Sequence, residues 1–122
     1  MTIISGRVTK GMRYGRELGY PTANLDRRQW IREGLNIRHG IYAGVVELPN
    51  GKEYKAAIVI GPLDQGSLPK LEAHLFGFKG DLYGKKLVFR VGKFIRQFKT
   101  YTNEQVLKQQ IKKDIAAIKK LK

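Results

Sequence analysis

The sequence predicts a mainly β domain, an antiparallel barrel with one α-helix at its C-terminus. Three observations carry this. Short runs rich in β-branched and aromatic residues, separated by turn residues, fill positions 3 to 96. Pro49-Asn50-Gly51 is a strong hairpin signal between two such runs. After position 102 the pattern changes to a helical one.

The runs are taken in order. "IISGRVT" opens the chain as a strand, and "YPTANL" reads as a short one. "IYAGVVEL" leads into the Pro49-Asn50-Gly51 turn, and "EYKAAIVIG" returns from it. "KLEAHLFGF" and "KKLVFRVGKFIR" follow, joined across "KGDLYG". Short connections imply antiparallel pairing, and closure into a barrel removes exposed edges. Thr102-Asn103-Glu104-Gln105 fits a capping box. Leu107, Ile111, Ile115 and Ile118 then form one aliphatic stripe, expected to pack on the barrel.

The chain has 122 residues, which suggests a single domain with one modest core. It has no cysteine, which excludes disulfides and thiolate metal sites. No apolar run is long enough to span a bilayer, and the first residues do not form a signal peptide. A cytoplasmic monomer is the expectation, with no membrane partner.

The net charge is +14, a field that attracts anions such as nucleic acid or a polyphosphate ligand. Much of it lies in "KQQIKKDIAAIKKLK", most simply a solvated helix face. A nucleic-acid-binding small barrel is the alternative reading, supported by the charge and the tyrosines. The aromatics form no evident stacking row, which argues against it.

The chemistry concentrates in "GMRYGRELGYPTANLD". It is neither a dinucleotide fingerprint nor a Walker A loop. Its glycines let backbone N–H groups approach an anion, and Lys10, Arg13 and Arg16 add positive charge. Thr22 and Asn24 are two apart, so on an extended segment they share one face. Two neutral oxygen ligands beside a phosphate cradle suit Mg2+ on a nucleotide. A flexible turn before an edge strand is the plainer reading of the same residues.

The stretch "SGRVTKGMRYGRELGYPTANLD" closely resembles the N-terminal signature of the riboflavin kinase (flavokinase) family. "HGIYAGVVEL", "YKAAIVIG", "LEAHLFGFKGDLYGKKL" and "FIR" resemble its later blocks in the right order, so the likeness covers nearly the whole chain. It implies a six-stranded antiparallel Greek-key barrel with a C-terminal helix. It implies transfer of the ATP γ-phosphate to the ribityl 5′-hydroxyl of riboflavin, giving FMN and ADP. Mg2+ or another divalent ion is implied with ATP. By resemblance Thr22 and Asn24 bind the metal and nucleotide phosphates. Gly11 and Arg16 contact ATP, and Glu72 is the catalytic base. Leu75, Gly77, Tyr83 and Arg96 fall on the flavin side. Arg96 is equally placed to pair with the C-terminal helix.

Other residues have structural readings. His74 is expected to be a hydrogen-bonded structural residue on the Glu72 face, and Asp81 to cap its own turn. Trp30 is expected to pack within a loop that serves as a lid over the nucleotide. The segment from Gly61 to Leu71 departs from the family pattern. No adenylyltransferase segment precedes Met1, so the expected form is monofunctional, stopping at FMN.

Overall fold

The computed structural model describes residues 2–9, 20, 22–63 and 68–121. Six strands form the barrel: β1 (Thr2–Thr9), β2 (Ala23–Leu25), β3 (Gly40–Glu47), β4 (Glu53–Leu63), β5 (Pro69–Leu75) and β6 (Lys86–Arg96). Helix α1 (Arg28–Arg32) follows β2, and α2 (Glu104–Lys119) follows β6. The order around the closed barrel is β1-β2-β5-β4-β3-β6, and every neighbouring pair is antiparallel. Strands β3, β4 and β5 are consecutive neighbours, and β6 returns to lie beside β3, which is a Greek key.

The β3–β4 hairpin forms at the expected residues. Leu48 N–H donates to the Lys52 carbonyl at 2.9 Å, Lys52 N–H donates to Asn50 Oδ1 at 3.0 Å, and Gly51 has φ +86°. The "KGDLYG" connection differs from a hairpin. It carries the chain from β5 to β6, which pairs with β3 and β1 instead of β5. Pairing with both closes the barrel and leaves no edge.

Alternation sets the two faces of the wall. Pro69, Leu71, Ala73 and Leu75 of β5 point inward and are buried, while Lys70, Glu72 and His74 point outward. Ile4, Val46, Ile58, Leu87 and Phe89 fill the interior with no exposure. Each such side chain contributes roughly 1.5–3 kcal/mol of burial. Gly44 is required by close approach, because a Cβ there would lie 2.5 Å from the Arg90 carbonyl oxygen.

Ala43 and Ala57 are buried on the outer wall beneath Ile118 of α2. Ile118 of the expected stripe is therefore core. Leu107, Ile111 and Ile115 remain partly exposed over a cavity. The helix cap differs by one residue from the expected box. Asn103 is the N-cap, and its Oδ1 accepts from the N–H groups of Gln105 (2.8 Å) and Val106 (3.3 Å). Asn caps as well as Thr and stands next to the first helical residue.

The loop after β2 contains helix α1. Asp26 caps it by accepting from Arg28 N–H at 3.0 Å, and its carboxylate also pairs with the Arg28 guanidinium. These contacts hold the Asp26 carboxyl down at about 2. Trp30, expected in a loop, lies on α1 and packs against the core.

Candidate active site

The register between β2 and β5 builds the site. Ala23 pairs with Ala73 and Asn24 with Glu72. The alanines take the inner face, so Asn24 and Glu72 share the outer one. Thr22 Oγ1 donates to Glu72 Oε2 at 3.3 Å. Burial pushes the Glu72 carboxyl above its ordinary range, while the Lys70 charge and the Thr22 hydrogen bond pull it partway back.

Two cavities meet at these residues. The smaller, about 380 Å3, lies between β2 and the residues after β5; Leu75, Phe78, Lys79 and Tyr83 are among those lining it. The larger, about 700 Å3, lies between the outer wall and α2. Its apolar surfaces are Ile41, Ala57 and Val59 from the barrel and Leu107, Ile111 and Ile115 from the helix. Thr9, Thr22 and Asn24 border both cavities, and Glu72 borders the larger.

A salt bridge holds α2 over the larger cavity. Arg96 Nε donates to Asp114 Oδ1 at 2.9 Å, and Arg96 Nη2 donates to Oδ2 at 2.8 Å. Gln110 Nε2 also donates to Asp114 Oδ1, at 2.9 Å. Asp114 is buried, so these bonds satisfy a carboxylate removed from water. At the helix end, Lys55 Nζ donates to the Leu121 carbonyl at 2.9 Å.

The expected site residues distribute as follows. Thr22, Asn24 and Glu72 come together. Arg96 pairs with α2, as one of its two expected positions required, and also borders the larger cavity. Leu75 and Tyr83 border the smaller cavity. Gly77 lies in the exposed turn after β5 with φ +80° and borders neither. Gly11 and Arg16 lie outside the described residues. His74 borders the larger cavity, with Tyr20 edge-on at 5.7 Å and Phe76 tilted at 5.7 Å.

The sequence reading missed the cavity role of Leu107, Ile111 and Ile115 and the anchoring role of Asp114. A lone Asp beside the stripe in a lysine-rich helix was the available signal. Among the described residues no group of three His, Cys, Asp or Glu could hold a metal. Thr22 and Asn24 offer only neutral oxygens, which fits a hard cation carried chiefly by phosphates.

Comparison with known proteins identifies the family. The riboflavin kinase (flavokinase) family profile matches residues 1–122. The chain belongs to the riboflavin kinase family. An RNA-binding riboflavin kinase of Bacillus subtilis is 38% identical over 98% of this chain and 51% of its own length. A bifunctional riboflavin kinase/FMN adenylyltransferase of Buchnera aphidicola is 36% identical over 96% of this chain and 38% of its own. The chain thus spans about half or less of these relatives. A solved riboflavin kinase from Trypanosoma brucei superposes with a TM-score of 0.69 at 24% identity, covering 96% of this chain and 76% of that one, and shares the fold. A Streptococcus pneumoniae structure described as a macrolide-efflux protein superposes with a TM-score of 0.84 at 26% identity, covering 98% and 39%. Among the described residues no helix is long and apolar enough to cross a membrane.

Proposed function

We propose that this chain transfers the γ-phosphoryl group of ATP to the ribityl 5′-hydroxyl of riboflavin, giving FMN and ADP. The observation that carries the reading is the convergence of Thr22, Asn24 and Glu72 where two cavities meet. Phosphoryl transfer needs donor and acceptor aligned on either side of the moving group, and little else by way of covalent chemistry.

The nucleotide occupies the smaller cavity; Leu75 and Tyr83, which the resemblance puts on the flavin side, border that cavity and not the larger one. The resemblance assigns Gly11 and Arg16 to ATP contacts. The flavin ring lies in the larger cavity between the barrel wall and α2. Aliphatic side chains from both the barrel and the helix line that space and suit a flat, largely apolar ring. Arg96 holds the helix that forms the far wall. Glu72 accepts the hydroxyl proton as the oxygen attacks phosphorus, and its raised proton affinity suits that task. Thr22 orients the carboxylate through its hydrogen bond. Thr22 and Asn24 would hold Mg2+ with the nucleotide phosphates. A bound divalent ion would supply charge neutralisation at the phosphoryl oxygens.

The test is to incubate the protein with riboflavin, ATP and Mg2+ and follow FMN by chromatography. Product that disappears in Glu72→Gln supports the assignment, and wild-type turnover in that variant refutes it.

A second reading is RNA binding, favoured by the +14 charge and by the RNA-binding relative. Lys108, Lys112, Lys113 and Lys119 of α2, and Lys120 just after it, are all exposed. RNA affinity that falls steeply with salt would support it.

A further inference from the structure

We propose that Ile41 and Val59 decide which flavin alcohol is phosphorylated: Ile41 seats the ring, and Val59 spaces it so that the end of a ribityl-length chain reaches Glu72. This rests on the riboflavin kinase reading above and gives its acceptor side a direction and two specificity-determining residues.

Strand register orders the site along one belt of the outer wall. Thr9 pairs with Asn24, Asn24 with Glu72, Glu72 with Val59, Val59 with Ile41, and Ile41 with Arg96. Directly paired residues project to the same face, so the whole belt points outward with Glu72. Every member borders the larger cavity. Thr9 and Asn24 also border the smaller one, whereas Glu72, Val59, Ile41 and Arg96 do not. The nucleotide side therefore lies past Asn24, and the acceptor extends from Glu72 in the other direction, over Val59 and then Ile41.

The belt is also a ruler. Neighbouring strands stand about 4.8 Å apart, so along the wall Val59 is about 5 Å from Glu72, Ile41 about 10 Å and Arg96 about 14 Å. An extended ribityl chain reaches roughly 7 Å from the ring nitrogen to its terminal oxygen. With that oxygen at Glu72, the chain crosses Val59 and the ring begins between Val59 and Ile41. The ring then covers Ile41, and its far edge points towards Arg96, whose guanidinium Asp114 holds in place. A shorter chain leaves its hydroxyl short of Glu72 while the ring keeps its seat.

The experiment measures binding of riboflavin and of lumiflavin by flavin fluorescence, and FMN formation by chromatography. Lumiflavin is the same ring with a methyl group in place of the ribityl chain. Ile41→Ala should weaken both flavins about tenfold, and Ile41→Val should weaken both by less. Val59→Phe puts bulk in the path of the chain alone, and should weaken riboflavin about tenfold while leaving lumiflavin within about twofold. Val59→Ala adds no bulk and should leave lumiflavin unaffected. A third probe needs no variant: a flavin with a hydroxyethyl group on the ring nitrogen should bind as lumiflavin does and be phosphorylated about 10²-fold more slowly than riboflavin. A Val59→Phe variant that weakens both flavins alike, or neither, would overturn the proposal. So would an Ile41→Ala variant that weakens riboflavin alone, or a hydroxyethyl flavin phosphorylated as fast as riboflavin. The expected binding pattern with no FMN formed from riboflavin and ATP would refute the kinase reading and leave the order of ring and chain along the belt standing. Failure to bind either flavin would refute both.

Discussion

Thr22 Oγ1 and Glu72 Oε2 lie 3.3 Å apart although 50 positions separate them in the chain. The contact exists because Asn24 pairs with Glu72 and both residues project from the outer wall. A slip of one residue in that register would turn Glu72 into the core.

Removal of the carboxylate should stop the chemistry while preserving binding. Glu72→Gln is expected to lower kcat about 10²- to 10⁴-fold. Riboflavin affinity, followed by fluorescence, should change less than about threefold. Single-turnover kinetics separates the two effects.

The raised proton affinity of Glu72 also predicts a stability effect. The folded protein holds this proton more tightly than the unfolded chain does. Folding therefore incurs no ionisation penalty below the ordinary carboxyl range. The penalty grows as pH rises through the gap between ordinary and raised values and is constant above it. Without ligands, Glu72→Gln should melt at a higher temperature than wild type at pH 8. The difference should shrink below pH ~4. Scanning calorimetry at several pH values checks the sign. An unchanged difference across the range would remove burial as the cause.

Asp114 links the helix to the barrel through Arg96. Asp114→Ala leaves Arg96 without its carboxylate partner; Arg96 is partly exposed and keeps its bond to the Gln97 carbonyl, so the expected loss is about 1.5–3 kcal/mol. Urea denaturation measures it. Riboflavin affinity should fall as well, because Leu107, Ile111 and Ile115 form one wall of the larger cavity.

Gly44 tests barrel closure. A methyl group there would meet Ile58 Cδ1 at 2.4 Å and the Arg90 carbonyl at 2.5 Å. The side chain can move, but the β6 backbone has to shift. Gly44→Ala should cost roughly 1–3 kcal/mol, read as a lower denaturation midpoint.

Much of this was legible from residue types. The Pro49-Asn50-Gly51 turn fixes β3 against β4, and alternation along "KLEAHL" places Glu72 on the outer face. The resemblance marked Thr22, Asn24 and Glu72 as one group. Periodicity shows that Leu107, Ile111, Ile115 and Ile118 share a face. Whether that face meets wall or void depends on how far α2 stands off, and only Ile118 reaches core. Tyr83 and Leu75 border a different cavity from Arg96 because the residues after β5 cross the barrel to reach β6. That crossing is a long-range feature that local turn chemistry does not encode. The cap at Asn103 shows the same limit, since two adjacent polar residues compete for one role.

Three side chains, those of Thr9, Thr22 and Asn24, border both cavities. On the kinase reading, donor and acceptor meet across those three side chains. That reading also defines an inhibitor: an isoalloxazine tethered to adenosine through a short phosphate bridge would sit in both rooms at once, its tether lying across those three side chains.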